Sequence, residues 1–327
     1  MKNSKVQFIR GIAIIAVVMI HTMPSGYCQI LCRPFLNFAV AAFLFLSGYL
    51  TKLDQDDWVG FYRRRISRVL LPYLIWSVIY SIPDINSKGI DVLLKNILTA
   101  NASSILYYIF VYIQFVLLTP MMGGLIRSRY SFIGWFIAPV SIIIFKYYGL
   151  FAGFSPSKHM ALIWSDLCLG WFTFYYLGLL LGNRIVEKRY SMRILISLYA
   201  ASILLQMIEG YAWSLYDIVG CGSQLKLSSL LSSSICILII YIYLEDKSRP
   251  CRCRFMCKIG DHSFGVYLCH IMIMKALSLL PFYTSIPYPL NSLMVLSLSL
   301  LFCICYKALW PDHSSGTSSP DTSTYTT

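Results

Sequence analysis

About ten apolar runs follow one another along the chain with little between them, and each is long enough to cross a bilayer as a helix. Runs of roughly 17 to 25 residues lie at about 8–25, 34–52, 69–86, 104–125, 131–150, 161–182, 194–212, 227–244, 263–280 and 290–308. The sequence therefore predicts an all-α, polytopic integral membrane protein folded as a single bundle of about ten transmembrane helices.

Charged residues make up only 13% of the chain and hydrophobic ones 57%, against about 25% charged in soluble domains. An even number of spans puts both termini on one side. Lys and Arg choose the side, because cytoplasmic loops carry their excess. With both termini cytoplasmic, most of the 27 basic residues fall on inner segments, including Lys2, Lys5, Arg10, the Arg63–Arg68 stretch, Arg184–Arg193 and Lys247–Lys258. That orientation also accounts for the net charge of +13, so the charge is not read as nucleic-acid binding. A basic inner face suits anionic membrane lipid and equally an anionic cytoplasmic cosubstrate. The first run follows MKNSKVQF with no small-residue cleavage site, and is expected to be a retained span in the plasma or inner membrane.

The stretches between spans are too short to bury a core of their own, so residues 1–310 read as one membrane domain. The tail, 311–327, is rich in Ser, Thr and Pro and is expected to be disordered. His313 lies in it. No matched pair of interrupted spans, the mark of an inverted-repeat transporter, is visible. The 11 cysteines form no framework; Cys251, Cys253 and Cys257 have a spacing unlike common zinc sites, and no metal is expected.

Within the first span, Arg10 and His21 are separated by ten residues, about 16 Å along a helix, which sets Arg10 at one interface and His21 near the midplane. An ionisable group at that depth costs a few kcal/mol and usually faces a pathway or site. His270, about 10 to 12 Å into the ninth span, reaches a similar level. Arg65 and Arg68, three apart on one helix face, suit bidentate phosphate binding. Asp166 and Glu209 are carboxylates near the outer ends of their spans, and either could orient a histidine. Most of the 24 tyrosines, in clusters such as Tyr107, Tyr108 and Tyr112, fit interfacial belts; an aromatic surface near the outer mouth could also stack on sugar rings, with no particular residue singled out.

Arg10, ten residues and then His21, followed by FLFLSGYL with Ser47, Gly48 and Tyr49, and RRRISR with Arg65 and Arg68 ahead of LLPY, resembles the membrane-bound acyltransferase family 3. Its members O-acylate cell-surface glycans. IGDHSFGVYLCH, with Gly260, Ser263, Tyr267 and His270, is similar to the late motif of that family. Where many relatives have Trp-Tyr or Trp-Phe at the start of the fourth span, this chain has Leu106, Tyr107 and Tyr108.

The resemblance implies transfer of an acyl group, expected to be acetyl, from cytoplasmic acyl-CoA to a hydroxyl of a surface polysaccharide or lipid-linked sugar. It makes His21 the catalytic base or acyl relay and Arg10 its motif partner. Arg65 and Arg68 then hold the CoA phosphates, with Ser47, Tyr49, His270, Asp166 and Glu209 as supporting candidates. Acyl-CoA is a cosubstrate here, and no bound cofactor is expected. An imidazole suits the proton transfer, because a hydroxyl attacks poorly until a base takes its proton. Two other classes stay open: a polysaccharide exporter or other transporter, and a scaffold.

Overall fold

The computed structural model describes residues 3–148, 167–185, 191–218, 220–248, 250–251 and 253–309. Asp166 and the tail 311–327 lie outside them. The described residues form helices joined by short turns and loops, with no strand among them. Seven of the helices are long and apolar enough to cross a membrane, and three shorter apolar helices accompany them, Ser131–Tyr147, Cys168–Gly182 and Ser263–Ser278.

Helix α1 (Ser4–Thr22) begins where Asn3 accepts a hydrogen bond from Lys5 N at 3.0 Å, and it stops before Pro24. Short α2 (Tyr27–Cys32) and a 3₁₀ turn at Arg33–Phe35 lead into α3 (Phe38–Tyr49). The second span is thus broken between Cys32 and Phe38. Non-helical backbone inside a membrane bundle is tolerated where protein buries it or a cavity adjoins it. Here the Arg33 carbonyl accepts from Leu36 N at 2.9 Å and Asn37 N at 3.0 Å, while the Asn37 side chain donates to Gln206 Oε1 at 2.6 Å and ties the break to the helix Met192–Ser214.

Helix α4 (Trp58–Lys88) starts on the Asp57 cap, carries Pro72 and Pro83, and ends at Gly89, whose φ of 88° favours glycine. Its 31 residues span about 46 Å, more than a hydrocarbon core. The sequence reading had started this span near residue 69. Because the helix begins at Trp58, Arg65 and Arg68 stand on its second and third turns. Next come α5 (Asp91–Leu98), α6 (Tyr107–Arg127) and α7 (Gly134–Ile142), which runs on as a π-turn to Tyr147. The chain continues with α8 (Phe172–Gly182), α9 (Met192–Ser214), α10 (Leu227–Glu245), α11 (Arg254–Asp261), α12 (Ser263–Ser278), α13 (Pro281–Thr284) and α14 (Leu290–Leu309).

Helix α1 is central, packing on α3, α10, α11, α12 and α14. Buried side chains gather in two large groups, Ile14, Val17, Val266, Tyr267 and Val295 around α1, and Phe45, Phe115, Tyr175 and Tyr176 around α3 and α8, with a small third of Ile30, Trp213 and Cys221. The outside is apolar as well. Leu71, Ile75 and Ile82 on α4, Ile194, Leu204 and Ile208 on α9, and Leu301 and Ile304 on α14 are exposed, a pattern that makes sense against lipid rather than water.

Two close approaches set the bundle. A Cβ on Gly178 would run into Phe45 O, and one on Gly48 into Tyr175 O, so α3 and α8 meet backbone to backbone. Likewise Gly260 lies on the Gln7 carbonyl and Gly11 on that of Met256, which seats α11 against α1. The glycines of both family-like motifs therefore serve packing. Gly178→Val should destabilise the protein by about 1–3 kcal/mol or more, read as a lowered Tm in detergent; an unchanged Tm would remove this account of the α3–α8 contact.

Candidate active site

The break after α1 decides where His21 points. Thr22, next to it, donates back to Val18 O at 2.9 Å and lies 2.6 Å from Ser292 Oγ, while Asn291 Nδ2 donates to Thr22 O at 3.1 Å. These contacts pin the end of α1 to the start of α14. His21 is partly exposed, one residue before the helix ends, and has no hydrogen-bond partner among the described residues.

Its ring neighbour is His270, with centroids 5.2 Å apart and planes inclined at 52°. His270 sits halfway along α12 and is completely buried. Nδ1 is 3.0 Å from Val266 O and 2.8 Å from Tyr267 O. Both partners are carbonyls, so Nδ1 must carry the proton and donate. Nε2 is then a bare acceptor, and it is buried with no partner. The equal depth inferred from residue spacing is thus matched by direct contact between the two rings.

Arg10, Arg65 and Arg68 come from α1 and α4 and line one cavity of about 410 Å³. Ser47, Tyr108 and Tyr267 complete much of its wall, and no Asp or Glu lines it. Arg65 donates to Ser47 Oγ and Leu50 O, each at 3.3 Å, where it also meets the negative end of α3. None of the three arginines is ion-paired among the described residues, whereas nearby Arg64 pairs with Asp57 and Arg127 with Asp54. Three guanidiniums around an acid-free hollow leave it strongly positive.

Tyrosine rings connect this cavity with the histidines. Tyr267 stands 5.5 Å from the Tyr108 ring and 6.2 Å from His270, and its hydroxyl donates to Ile105 O. One side of Tyr267 therefore faces the arginine cavity while the other adjoins the imidazole pair.

Two expected supporters lie elsewhere. Tyr49 donates to Glu245 Oε1 at 2.5 Å, tying α3 to α10 and away from the cavity wall. Glu209 accepts from Ser228 N at 3.1 Å and from Ser228 Oγ, capping α10 near the buried Lys226. Among the carboxylates and histidines weighed as partners of His21, His270 is the one the described residues bring to it.

A second hollow, of about 520 Å³, opens at the other end of the bundle and includes Arg33, Tyr107 and Trp171. Sequence reasoning passed over Arg33. The available signal was an arginine in an outward loop, against the usual charge bias, at a proline-marked break in a span.

Neither the curated proteins nor the solved structures compared with this chain include a match. A family model described as an acyltransferase domain matches residues 3–308, nearly the whole chain. The matched region takes in Arg10, His21, the arginine cavity and His270. The chain therefore belongs to the membrane acyltransferase family 3, and is a membrane acyltransferase.

Proposed function

We propose that the protein moves an acetyl or similar acyl group from cytoplasmic acyl-CoA to a hydroxyl of a surface polysaccharide or lipid-linked sugar. The observation that carries this reading is the arrangement of the arginine cavity: three guanidiniums with no ion pair among the described residues on one side of Tyr267 and two imidazoles on the other. By the charge bias of the loops, the arginine end is cytoplasmic in the plasma or inner membrane, and so are both termini. Phosphates of CoA dock on Arg10, Arg65 and Arg68 as bidentate, charge-assisted pairs. The pantetheine arm then carries the thioester past Tyr108 and Tyr267.

At the far side, His21 takes the proton of the acceptor hydroxyl as its oxygen attacks the thioester carbonyl. The tetrahedral intermediate collapses with loss of the CoA thiolate, which recovers that proton from the imidazolium. The products are the acyl ester and CoA–SH. His270 is a positioning residue in this scheme: its bare Nε2, with the rings 5.2 Å apart, is the acceptor to which His21 turns its N–H when the acceptor hydroxyl binds, leaving the other His21 nitrogen free to act as base.

Membrane vesicles test the sidedness. Given radiolabelled acetyl-CoA, inverted vesicles should label glycan and sealed right-side-out vesicles should not; labelling from neither orientation would contradict the reading. His270→Asn should lower kcat by up to about 10²-fold and displace the acid limb of the kcat–pH profile, with KM for acetyl-CoA unchanged. A loss of activity with an unmoved pH profile would instead mark His270 as packing alone.

A further inference from the structure

The hollow at the end opposite the arginine cavity has its own chemistry. Three of its lining residues hold a buried polar atom with no hydrogen-bond partner: Nε of Arg33, Oγ of Ser103 and Nε1 of Trp171. Native interiors pair nearly all such groups, so three around one hollow point to a polar occupant. Arg33 has one hydrogen bond, donated from Nη1 to Gln29 Oε1 at 3.1 Å, and no ion pair among the described residues.

Its nearest charged company is unhelpful. Lys226, a second buried cation, donates to Cys221 O at 2.6 Å, and Glu209 is taken up by the N–H and hydroxyl of Ser228 at the start of α10. A partly buried guanidinium beside a buried ammonium is stable only if its charge is answered, and an oxyanion answers it with two parallel hydrogen bonds.

The remaining wall fits a sugar. Tyr107 is partly exposed and is backed by the buried Trp171 ring 6.3 Å away at 32°, so its face offers a platform on which the C–H face of a pyranose can lie. Asn101, Ser104 and Gln224 supply donors and acceptors for hydroxyls. Arg33 sits in the break that links α1 to α3, on the side of the bundle where α1 ends one residue after His21. A sugar held by Arg33 would thus lie at the same end of α1 as the imidazole.

We infer that this hollow is the acceptor subsite, and that it selects an acidic sugar whose carboxylate or phosphate pairs with Arg33 while its ring stacks on Tyr107. The inference rests on the transferase reading and adds a substrate class to it.

The test uses the full chain in nanodiscs with radiolabelled acetyl-CoA and three sets of oligosaccharides of matched length: uronic acid-containing, phosphate-bearing and neutral. The wild type should label at least one acidic set more than the neutral set, and whichever is favoured identifies the anion. Arg33→Gln should cut the acidic-to-neutral ratio by about tenfold or more, as loss of a charged hydrogen-bond pair would. Arg33→Lys, which keeps the charge but loses the fork, should retain part of it and serves as the folded control. Transfer without acidic preference, or a ratio that Arg33→Gln leaves unchanged, would overturn the inference while the transferase reading stands. If the wild type labels no sugar of any set, both fail together.

Discussion

His21→Ala should reduce acyl transfer by about 10² to 10⁴-fold, the usual contribution of a positioned general base, with little change in Tm. The two halves of that expectation come from different observations. His21 is partly exposed and has no hydrogen bond among the described residues, so its truncation breaks no contact that holds α1; Thr22, Asn291 and Ser292 hold the helix end instead. The ring's role lies in its place beside His270 and beyond Tyr267. Binding of acetyl-CoA should survive the substitution, because the arginines that would hold it are about 16 Å back along α1 and on α4. Equal loss of acyl-CoA binding and of turnover would show that His21 acts through the structure and not on the acceptor proton.

The Arg65→Ala, Arg68→Ala double variant should show the complementary pattern: a KM for acetyl-CoA raised by about 10² or more, and a smaller change in kcat. A charge-assisted hydrogen bond contributes about 1.5–3 kcal/mol, and each 1.4 kcal/mol is tenfold in affinity. Arg68 is the cleaner probe, since Arg65 also ties Ser47 and Leu50 at the end of α3. Added salt should weaken acetyl-CoA binding in the wild type more than in the double variant, because fewer phosphate contacts remain to be screened. A donor analogue lacking the 3′-phosphate should lose affinity for the wild type and much less for the variant. If KM is unmoved and only stability falls, the arginines serve lipid headgroups or the protein's insertion rather than the donor.

Much of this was legible in the sequence because hydropathy reports what a bilayer demands. The ninth and tenth spans, expected at 263–280 and 290–308, match α12 (Ser263–Ser278) and α14 (Leu290–Leu309) closely. The second span was read as one uninterrupted helix at 34–52. A hydropathy average over a span-long window does not register that CQILCRPFLN breaks at Arg33–Phe35, since the apolar residues on either side outweigh one arginine and one proline. Helix α11 was read as loop: eight residues with Arg254 and Lys258 on one side carry no span signal, and only Gly260 and Gly11, by their close approach, reveal that it docks on α1.

The site divides along the same line. Spacing alone set His21 and His270 at similar depth and put Arg65 and Arg68 on one face, because helix rise and period are fixed. Which helices touch is a property of packing. The contact between the two rings, the diversion of Tyr49 to Glu245 and of Glu209 to α10, and the Arg33 hollow all depend on helices distant in sequence, and no local pattern encodes them.

The most direct test of the central claim, acyl transfer through His21, is mass analysis of surface glycans from cells with the wild-type gene, without it, and with His21→Ala. The account predicts that deletion and His21→Ala both remove the same acyl increment, while the amount of glycan at the surface stays constant. Loss of surface glycan itself, with the acylation of what remains unchanged, would contradict it and identify an exporter.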